Sequence, residues 1–214
     1  MQWQISGDKM KATLLNWMGN DNTVVDAARV SFDKESSQFA PEQNERLIKY
    51  LAEHNHYSPF GHCFASFRVS APIFVRAQLG KHEYLRINEI SRRYVDSTPK
   101  FYTPDIWRGR PVGKKQGSSG EVKYFIEDLD LYGRQLLLYE DMLREGVAPE
   151  MARMVLPQSM YTEWYWSGSL DAFANMAKLR CKPDTQEETR LIANQISEQM
   201  LEKFPVSWKA LTEF

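Results

Sequence analysis

The sequence predicts an α+β fold, because segments with strand character stand among segments with helical periodicity. Residues His62–Ser70 alternate, with Cys63, Ala65, Phe67 and Val69 on one face and mostly polar side chains on the other, as expected of a half-buried strand. The aromatic, β-prone run Met160–Trp166 predicts a second strand. Apolar residues spaced three to four apart recur in several other segments, and these predict helices that pack one face against the strands.

The remaining elements follow from local signals. A short opening strand precedes a helix over about Thr23–Val30, and Pro41 begins a second helix that ends near His54, since proline is tolerated in the first turn of a helix. Pro72 ends the His62–Ser70 strand and stands in the first turn of the next helix. Later helices are predicted over about Tyr124–Glu145, from Pro149, and over about Ser169–Arg180 and Thr185–Phe204.

Residues 107–122 predict a mobile surface loop. Glycine, serine and basic side chains dominate this stretch, so it cannot bury much apolar surface. We expect it to act as a linker or lid within a single domain that spans residues 1–214, a length that suffices for one sizeable core.

Composition excludes several classes of protein. The net charge of −1 argues against a duplex-binding protein, which needs a basic excess to replace counterions. No run approaches the roughly 20 apolar residues of a membrane span, and the first residues lack the basic and apolar regions of a leader. The cysteines, Cys63 and Cys181, form no disulfide framework or zinc spacing. We therefore expect a cytoplasmic protein that binds neither nucleic acid nor membranes.

The stretch Lys81–Tyr94 predicts a functional site, because it concentrates charged and hydrogen-bonding side chains more densely than a core segment tolerates. A bound phosphate needs fixed cations, and arginine suits this role because its planar fork bonds two oxygens at once. Arg93, Arg153 and Arg180 are the candidates for such a phosphate or nucleotide contact.

Three segments together resemble the flavin-dependent thymidylate synthases. They are Ala27–Phe32, His54–His62 and the stretch Lys81–Ser91, where the family carries Arg-His-Arg, seven variable residues and then serine. The resemblance extends from Met18 to the region of Arg180. It implies a central antiparallel sheet flanked by helices, and a homotetramer with active sites between subunits.

The function implied by this resemblance is methylation of dUMP at C5. Methylenetetrahydrofolate gives the carbon, NADPH reduces FAD, and the flavin supplies the hydride. The catalytic candidates are Arg180, which would stabilise charge on the uracil carbonyl, and Ser91. The implied dUMP contacts are Gln78, Glu89, Ser91, Arg92, Arg93, Arg153 and Arg180, with Arg153 reaching the phosphate from a neighbouring subunit.

The implied flavin and folate contacts are Ser31, His56, Ser58, Lys81, His82, Glu83, Asn88 and Asn175. Lys81 and Glu83 stand where the family has arginines, Arg86 where it has serine, and Gly61 where it has an acid. Exchanging arginine for glutamate beside an anionic pyrophosphate reverses a charge. We therefore expect a lower FAD affinity than the family norm.

Other interpretations of these residues stay open. The altered flavin positions admit a related enzyme that transfers a one-carbon unit without reduction and gives a 5-hydroxymethyl pyrimidine nucleotide, or an inactive homologue that keeps the nucleotide pocket. The base, uracil or cytosine, is not decided by the sequence. Cys181 beside Arg180 is a weaker candidate for attack on C6 of the pyrimidine. The histidines match no closed zinc pattern, and we predict no metal site.

Overall fold

The computed structural model describes residues 10–95, 97–113, 115–123 and 132–213. Its strands are β1 (Lys11–Met18), β2 (Phe64–Pro72), β3 (Leu85–Glu89), β4 (Arg108–Gly109), β5 (Ser119–Glu121) and β6 (Tyr161–Ser169). Four of them form an antiparallel sheet in the order β1-β2-β6-β3, and β4 pairs with β5 in a separate hairpin. The α+β class with a central antiparallel sheet is therefore confirmed.

Helices surround one face of this sheet. They are α1 (Asp21–Arg29), α2 (Pro41–Glu53), α3 (Ile73–Leu79), α4 (Gly133–Arg144), α5 (Pro149–Ala152), α6 (Leu170–Arg180), α7 (Glu187–Lys203) and α8 (Pro205–Thr212). The helix predicted over Tyr124–Glu145 is present as α4, whereas residues 124–131 lie outside the described residues. No helix in the described ranges is long and apolar enough to cross a membrane.

The core lies between the sheet and helix α6. In β2, Phe67 and Val69 are fully buried, whereas Arg68 between them is exposed, which matches the predicted alternation. Trp166 of β6 is also buried, and its ring meets that of Phe173 in α6 edge-on at 5.5 Å. Such aromatic contacts contribute packing beyond the area they bury, so the two central strands and α6 form the centre of the fold.

Two elements were missed by the sequence analysis. The helix predicted after Pro72 is present as α3. The middle of the cluster Lys81–Tyr94, however, forms β3, an edge strand too short and too polar to show a clear period. Only Phe204 separates helix α8 from α7, and the Asp21 carboxylate accepts hydrogen bonds from the Val206 and Ser207 amides of α8, at 3.0 and 2.8 Å. The distant cap leaves no local sequence signal, and the local signal that exists, Pro205 in the first turn of α8, was not used.

The loop predicted over residues 107–122 also contains regular structure. Strands β4 and β5 pair across it, and the Val122 amide donates to the Trp107 carbonyl at 2.8 Å. Glycines with positive φ, among them Gly113 and Gly117, supply the tight bends. The segment is therefore a hairpin, which sequence reasoning missed because each strand has only two or three residues.

The outer edge of β1 is covered by two glutamines of α7. Gln195 Oε1 and Gln199 Oε1 accept from the backbone amides of Ala12 and Leu14, both at 2.8 Å. The side-chain amides donate back to the Met10 and Ala12 carbonyls at 3.2 and 3.0 Å. The helix thus satisfies a strand edge that would otherwise offer unpaired backbone groups.

We predict that Gln199→Leu lowers the free energy of unfolding by about 1–3 kcal/mol, because it leaves one amide and one carbonyl of β1 unpaired at a partly buried edge. Urea denaturation followed by circular dichroism measures the change. Asn194→Leu, at an exposed position of the same helix, is the matched control. Equal effects of the two substitutions would contradict the role of Gln199 at the strand edge.

Candidate functional site

Helix α3 lies between two clefts. Phe74 and Gln78, four residues apart, line the first cleft. Ile73 lines the second cleft, and Arg76, three residues further, pairs with Glu89 in its wall, with Nε 3.0 Å from Oε2. Side chains three or four apart share one face of a helix and those two apart do not. The helix therefore directs Gln78 to the first cleft and Ile73 to the second, where Arg76 reaches the wall through Glu89.

The first cleft has a volume of about 910 Å³ and mixes apolar and cationic walls. Of the predicted site residues, it contains Gln78, Lys81 and Arg180. Lys182 adds a further cation, and Trp107 adds aromatic surface from the hairpin. The cleft therefore suits an anionic ligand that carries a flat ring.

Arg180 is held in the first cleft by two acceptors. Its Nε donates to His82 Nε2 at 2.9 Å, and its Nη2 donates to the Gln78 carbonyl at 3.2 Å. Burial and the Arg180 charge lower the pKa of His82 to about 4, so the imidazole is neutral at pH 7 and Nε2 can accept. The Gln78 side chain in turn donates to Gln186. These contacts fix the guanidinium before any ligand binds.

The second cleft, of about 710 Å³, contains the other predicted nucleotide residues: Glu89, Ser91, Arg92, Arg93 and Arg153. The Ser91 hydroxyl accepts from both the backbone amide and the Nε of Arg93, at 3.3 and 3.4 Å. Arg92 donates to the Ser97 carbonyl, and Glu89 accepts from Thr162 at 2.8 Å. Three arginines and a hydroxyl at one cleft form the kind of surface that binds a phosphate.

The structure therefore distributes the predicted nucleotide contacts over two clefts, with no lining residue in common. Within one chain, Gln78 and Arg180 do not share a pocket with Ser91, Arg93 and Arg153. The sequence had suggested this division only for Arg153.

The predicted flavin contacts come from several separate elements. Ser31 follows α1, and His56 and Ser58 belong to the turn that packs against α1 and α6. Asn175 lies on an exposed position of α6, and His82 is bonded to Arg180 at the end of this helix. The remaining members, Lys81, Glu83 and Asn88, are exposed around His82 and in β3.

Cys181 does not have the properties of a nucleophile. Burial raises the pKa of its thiol above the ordinary value, which disfavours the reactive thiolate. The weaker interpretation of Cys181 as a group that attacks C6 is therefore not supported.

Sequence reasoning missed a buried polar cluster in the wall of the first cleft. Glu188, on α7, accepts hydrogen bonds from the Tyr102 hydroxyl, at 3.0 Å, and from Arg108. All three residues line the cleft. Because these three residues are far apart along the chain, only the fold brings them together. Glu188 alone gave no signal of a site, since an acidic residue in the first turn of a helix is a common stabilising feature.

The chain is similar to members of one protein family. The family model described as thymidylate synthase complementing protein matches residues 13–206. A flavin-dependent thymidylate synthase of Thermus thermophilus is 38% identical over 213 residues, which cover 96% of this chain and 77% of the relative. A protein of the same name from Kosmotoga olearia is 37% identical over 212 residues, which cover 94% of this chain and 89% of the relative.

A solved structure is similar over nearly the whole fold. It is a UMP/dUMP methylase, PolB from Streptomyces cacaoi, bound with 5-Br dUMP. The two chains superpose with a TM-score of 0.86 at 30% identity, and the match covers 96% of each.

We predict that protonation of His82 destabilises the protein below neutral pH. The pKa is about 4 in the folded chain and about 6.5 in an unfolded one, so the unfolded state binds more protons between these values and stability falls as the pH drops through this window. Because His82 is only half-buried, we expect wild type to lose on the order of 1–2 kcal/mol more than His82→Gln. Urea melts at about pH 7 and pH 4.5 measure this difference. Identical pH profiles of the two proteins would contradict the role of His82 as a neutral acceptor.

Proposed function

The chain belongs to the thymidylate synthase complementing protein family, and we propose that it is a flavin-dependent thymidylate synthase that methylates dUMP at C5. The observation that carries this proposal is the pair of clefts. One holds a fixed arginine and a glutamine suited to a pyrimidine ring, and the other holds arginines and a serine suited to a phosphate.

In the first cleft, Arg180 recognises and polarises the base. Its Nε and Nη2 already donate to the protein, and Nη1 donates to no described protein atom. This Nη1 is the group that donates to a uracil carbonyl oxygen. Negative charge on that oxygen while C5 is nucleophilic is stabilised by a donor that needs no reorganisation. The Gln78 backbone carbonyl supports this position of Arg180, because it accepts from Nη2.

In the second cleft, Ser91 and Arg93 bind the phosphate of dUMP. The contact between them orients the Arg93 fork beside the hydroxyl. Arg92 and Arg153 add charge to the same cleft. Glu89 is paired with Arg76, so it balances part of this positive charge and leaves the serine and the arginines to bind the anion.

One nucleotide reaches both clefts when two copies of the chain combine. Helix α3 separates the two clefts in a single copy. The first cleft of one copy, which binds the base, therefore faces the second cleft of another copy, which binds the phosphate. The surface around the second cleft favours such contact, since Ile90, Tyr94 and Met154 are 48%, 75% and 72% exposed and exposed apolar patches mark association sites. The protein is thus a homo-oligomer with shared sites, for which we propose a tetramer.

The family's flavin fits exposed donors on β3 and α6. Asn88 and Asn175 are exposed, and their side chains make no hydrogen bond to any described residue, so they are free to hold FAD together with Ser31, His56, Ser58, Lys81 and His82. Bound FAD, reduced by NADPH, supplies the hydride, and methylenetetrahydrofolate supplies the carbon. These small metabolites, and the two free cysteines, agree with a cytoplasmic location.

We predict that dUMP raises the melting temperature of the protein, because a ligand bound only to the native state stabilises it by mass action. Arg180→Ala and Arg93→Ala should each weaken dUMP binding by about 1–3 kcal/mol, the range for a charged hydrogen bond. Differential scanning fluorimetry against dUMP concentration measures this, with exposed Arg144→Ala as the control. A dUMP response that survives both cleft substitutions would contradict the nucleotide assignment.

A further prediction concerns the altered signature at Glu83. Glu83→Arg should tighten FAD binding about tenfold, because it replaces an exposed anion by a forked cation near the pyrophosphate. Flavin fluorescence during titration of the apo protein measures the affinity, and Glu45→Arg, at another exposed position, controls for net charge. The assignment as a thymidylate synthase fails if FAD affinity is unchanged and the wild type forms a 5-substituted nucleotide with folate alone.

A further inference from the structure

Glu188 is a buried carboxylate that connects three separate parts of the chain. Its residue is only 4% exposed. Its Oε1 accepts from the hydroxyl of Tyr102, which precedes the β4–β5 hairpin, and from Nη2 of Arg108, in the first strand of this hairpin. Glu188 itself lies in the first turn of α7. One carboxylate oxygen therefore ties the hairpin and the segment before it to a core helix.

Arg108 also organises the hairpin internally. Its Nε donates to the Ser118 hydroxyl at 2.9 Å, across the loop. The same Nε lies 3.3 Å from Glu187 Oε2, on a side chain that is 56% exposed. Arg108 thus contacts the opposite arm of its own hairpin and, through the buried Glu188, the start of α7, whereas its pair with the exposed Glu187 contributes little.

A second contact holds the hairpin close to the chain that follows α6. Gly117 has a φ of +79°, and a Cβ there would lie 3.0 Å from the Asp184 carbonyl oxygen. Gly113 has a similar φ of +73° but open space around it. Of the described glycines of the hairpin, only Gly117 therefore combines a left-handed backbone with close approach to another segment.

The hairpin forms one wall of the first cleft. Trp107, Arg108, Gln116, Gly117 and Ser118 line it opposite the residues that hold Arg180. Burial alone would raise the pKa of Glu188, but hydrogen bonds from Arg108, its own backbone amide and Tyr102 outweigh burial and hold the pKa below the ordinary value. At neutral pH the connection is thus a hydrogen-bonded ion pair in a partly dry site, where geometry is strongly constrained.

We infer that Glu188 and Arg108 are positioning residues, which hold the β4–β5 hairpin in place as a wall of the nucleotide cleft and so set the affinity for the nucleotide. This inference rests on the proposed function for the identity of the ligand. Neither side chain needs to touch the reacting atoms. Loss of the pair should weaken binding in ground and transition states alike, which raises KM and leaves kcat nearly unchanged.

The test compares Arg108→Ala, Arg108→Lys and Glu188→Gln with wild type. Arg108→Ala should raise KM for dUMP about tenfold with kcat within about twofold. It should also speed tryptic cleavage after the exposed Lys115 of the hairpin by about tenfold, because the hairpin detaches more often. Arg108→Lys, which keeps the charge but not the fork, should recover part of both effects.

Glu187→Gln is the matched control, since Glu187 contacts the same arginine from an exposed position, and it should leave both readouts at the wild-type value. If Glu188→Gln does not fold, Arg108→Ala on the hairpin still decides the question. Unchanged cleavage at Lys115 in Arg108→Ala would overturn the inference, and so would faster cleavage without a change in KM. Absence of any dUMP response in wild type would count against the proposed function, and the cleavage assay would still report whether the pair holds the hairpin.

Discussion

The geometry of helix α3 is the constraint on which the site depends. Phe74 and Gln78 of this helix line the first cleft, whereas Ile73 lines the second. Arg76, three positions after Ile73 on the same helix face, pairs with Glu89 in the second cleft's wall. The sheet fixes this helix, because its first residue follows directly from β2 and the Ile73 amide donates to the Met160 carbonyl, at 3.0 Å, beside β6. We therefore propose that a ligand with a ring at one end and a phosphate at the other draws on two copies of the chain.

The two clefts differ in how their charged side chains are placed and paired. The second cleft, which we propose binds the phosphate, carries its arginines near the surface, where they can capture an anion, and Glu89 is already paired with Arg76 and Thr162. The first cleft, which we propose binds the base, instead holds Arg180 between the Gln78 carbonyl and the neutral His82 imidazole. The low pKa of His82 follows from burial and from this arginine, so the same contact that orients Arg180 keeps the histidine uncharged. The surface charge of Glu83 is the feature of this region that opposes an anionic cofactor.

Much of the fold could be predicted from sequence because periodicity and proline report local structure directly. The alternation in β2, the first turns at Pro41 and Pro149, and the helical spacing in α4 and α6 all correspond to observed elements. What was missed depends on contacts between distant residues. Asp21 caps α8, Glu188 holds Arg108, and the two-residue strand β4 exists only through its partner. The signature residues predicted which side chains are candidates for the site, but only the fold showed that they lie in two clefts.

The shared site is tested most directly by mixing two inactive variants. Arg180→Ala damages the base cleft and Arg93→Ala damages the phosphate cleft, and each alone should have little dUMP-dependent activity. After equimolar co-expression, random assembly gives about one site in four an intact base cleft from one copy and an intact phosphate cleft from the other. The account predicts recovery of about a quarter of wild-type activity in the mixture. Activity that stays at the level of the single variants, in oligomers shown by mass spectrometry to contain both chains, would contradict it.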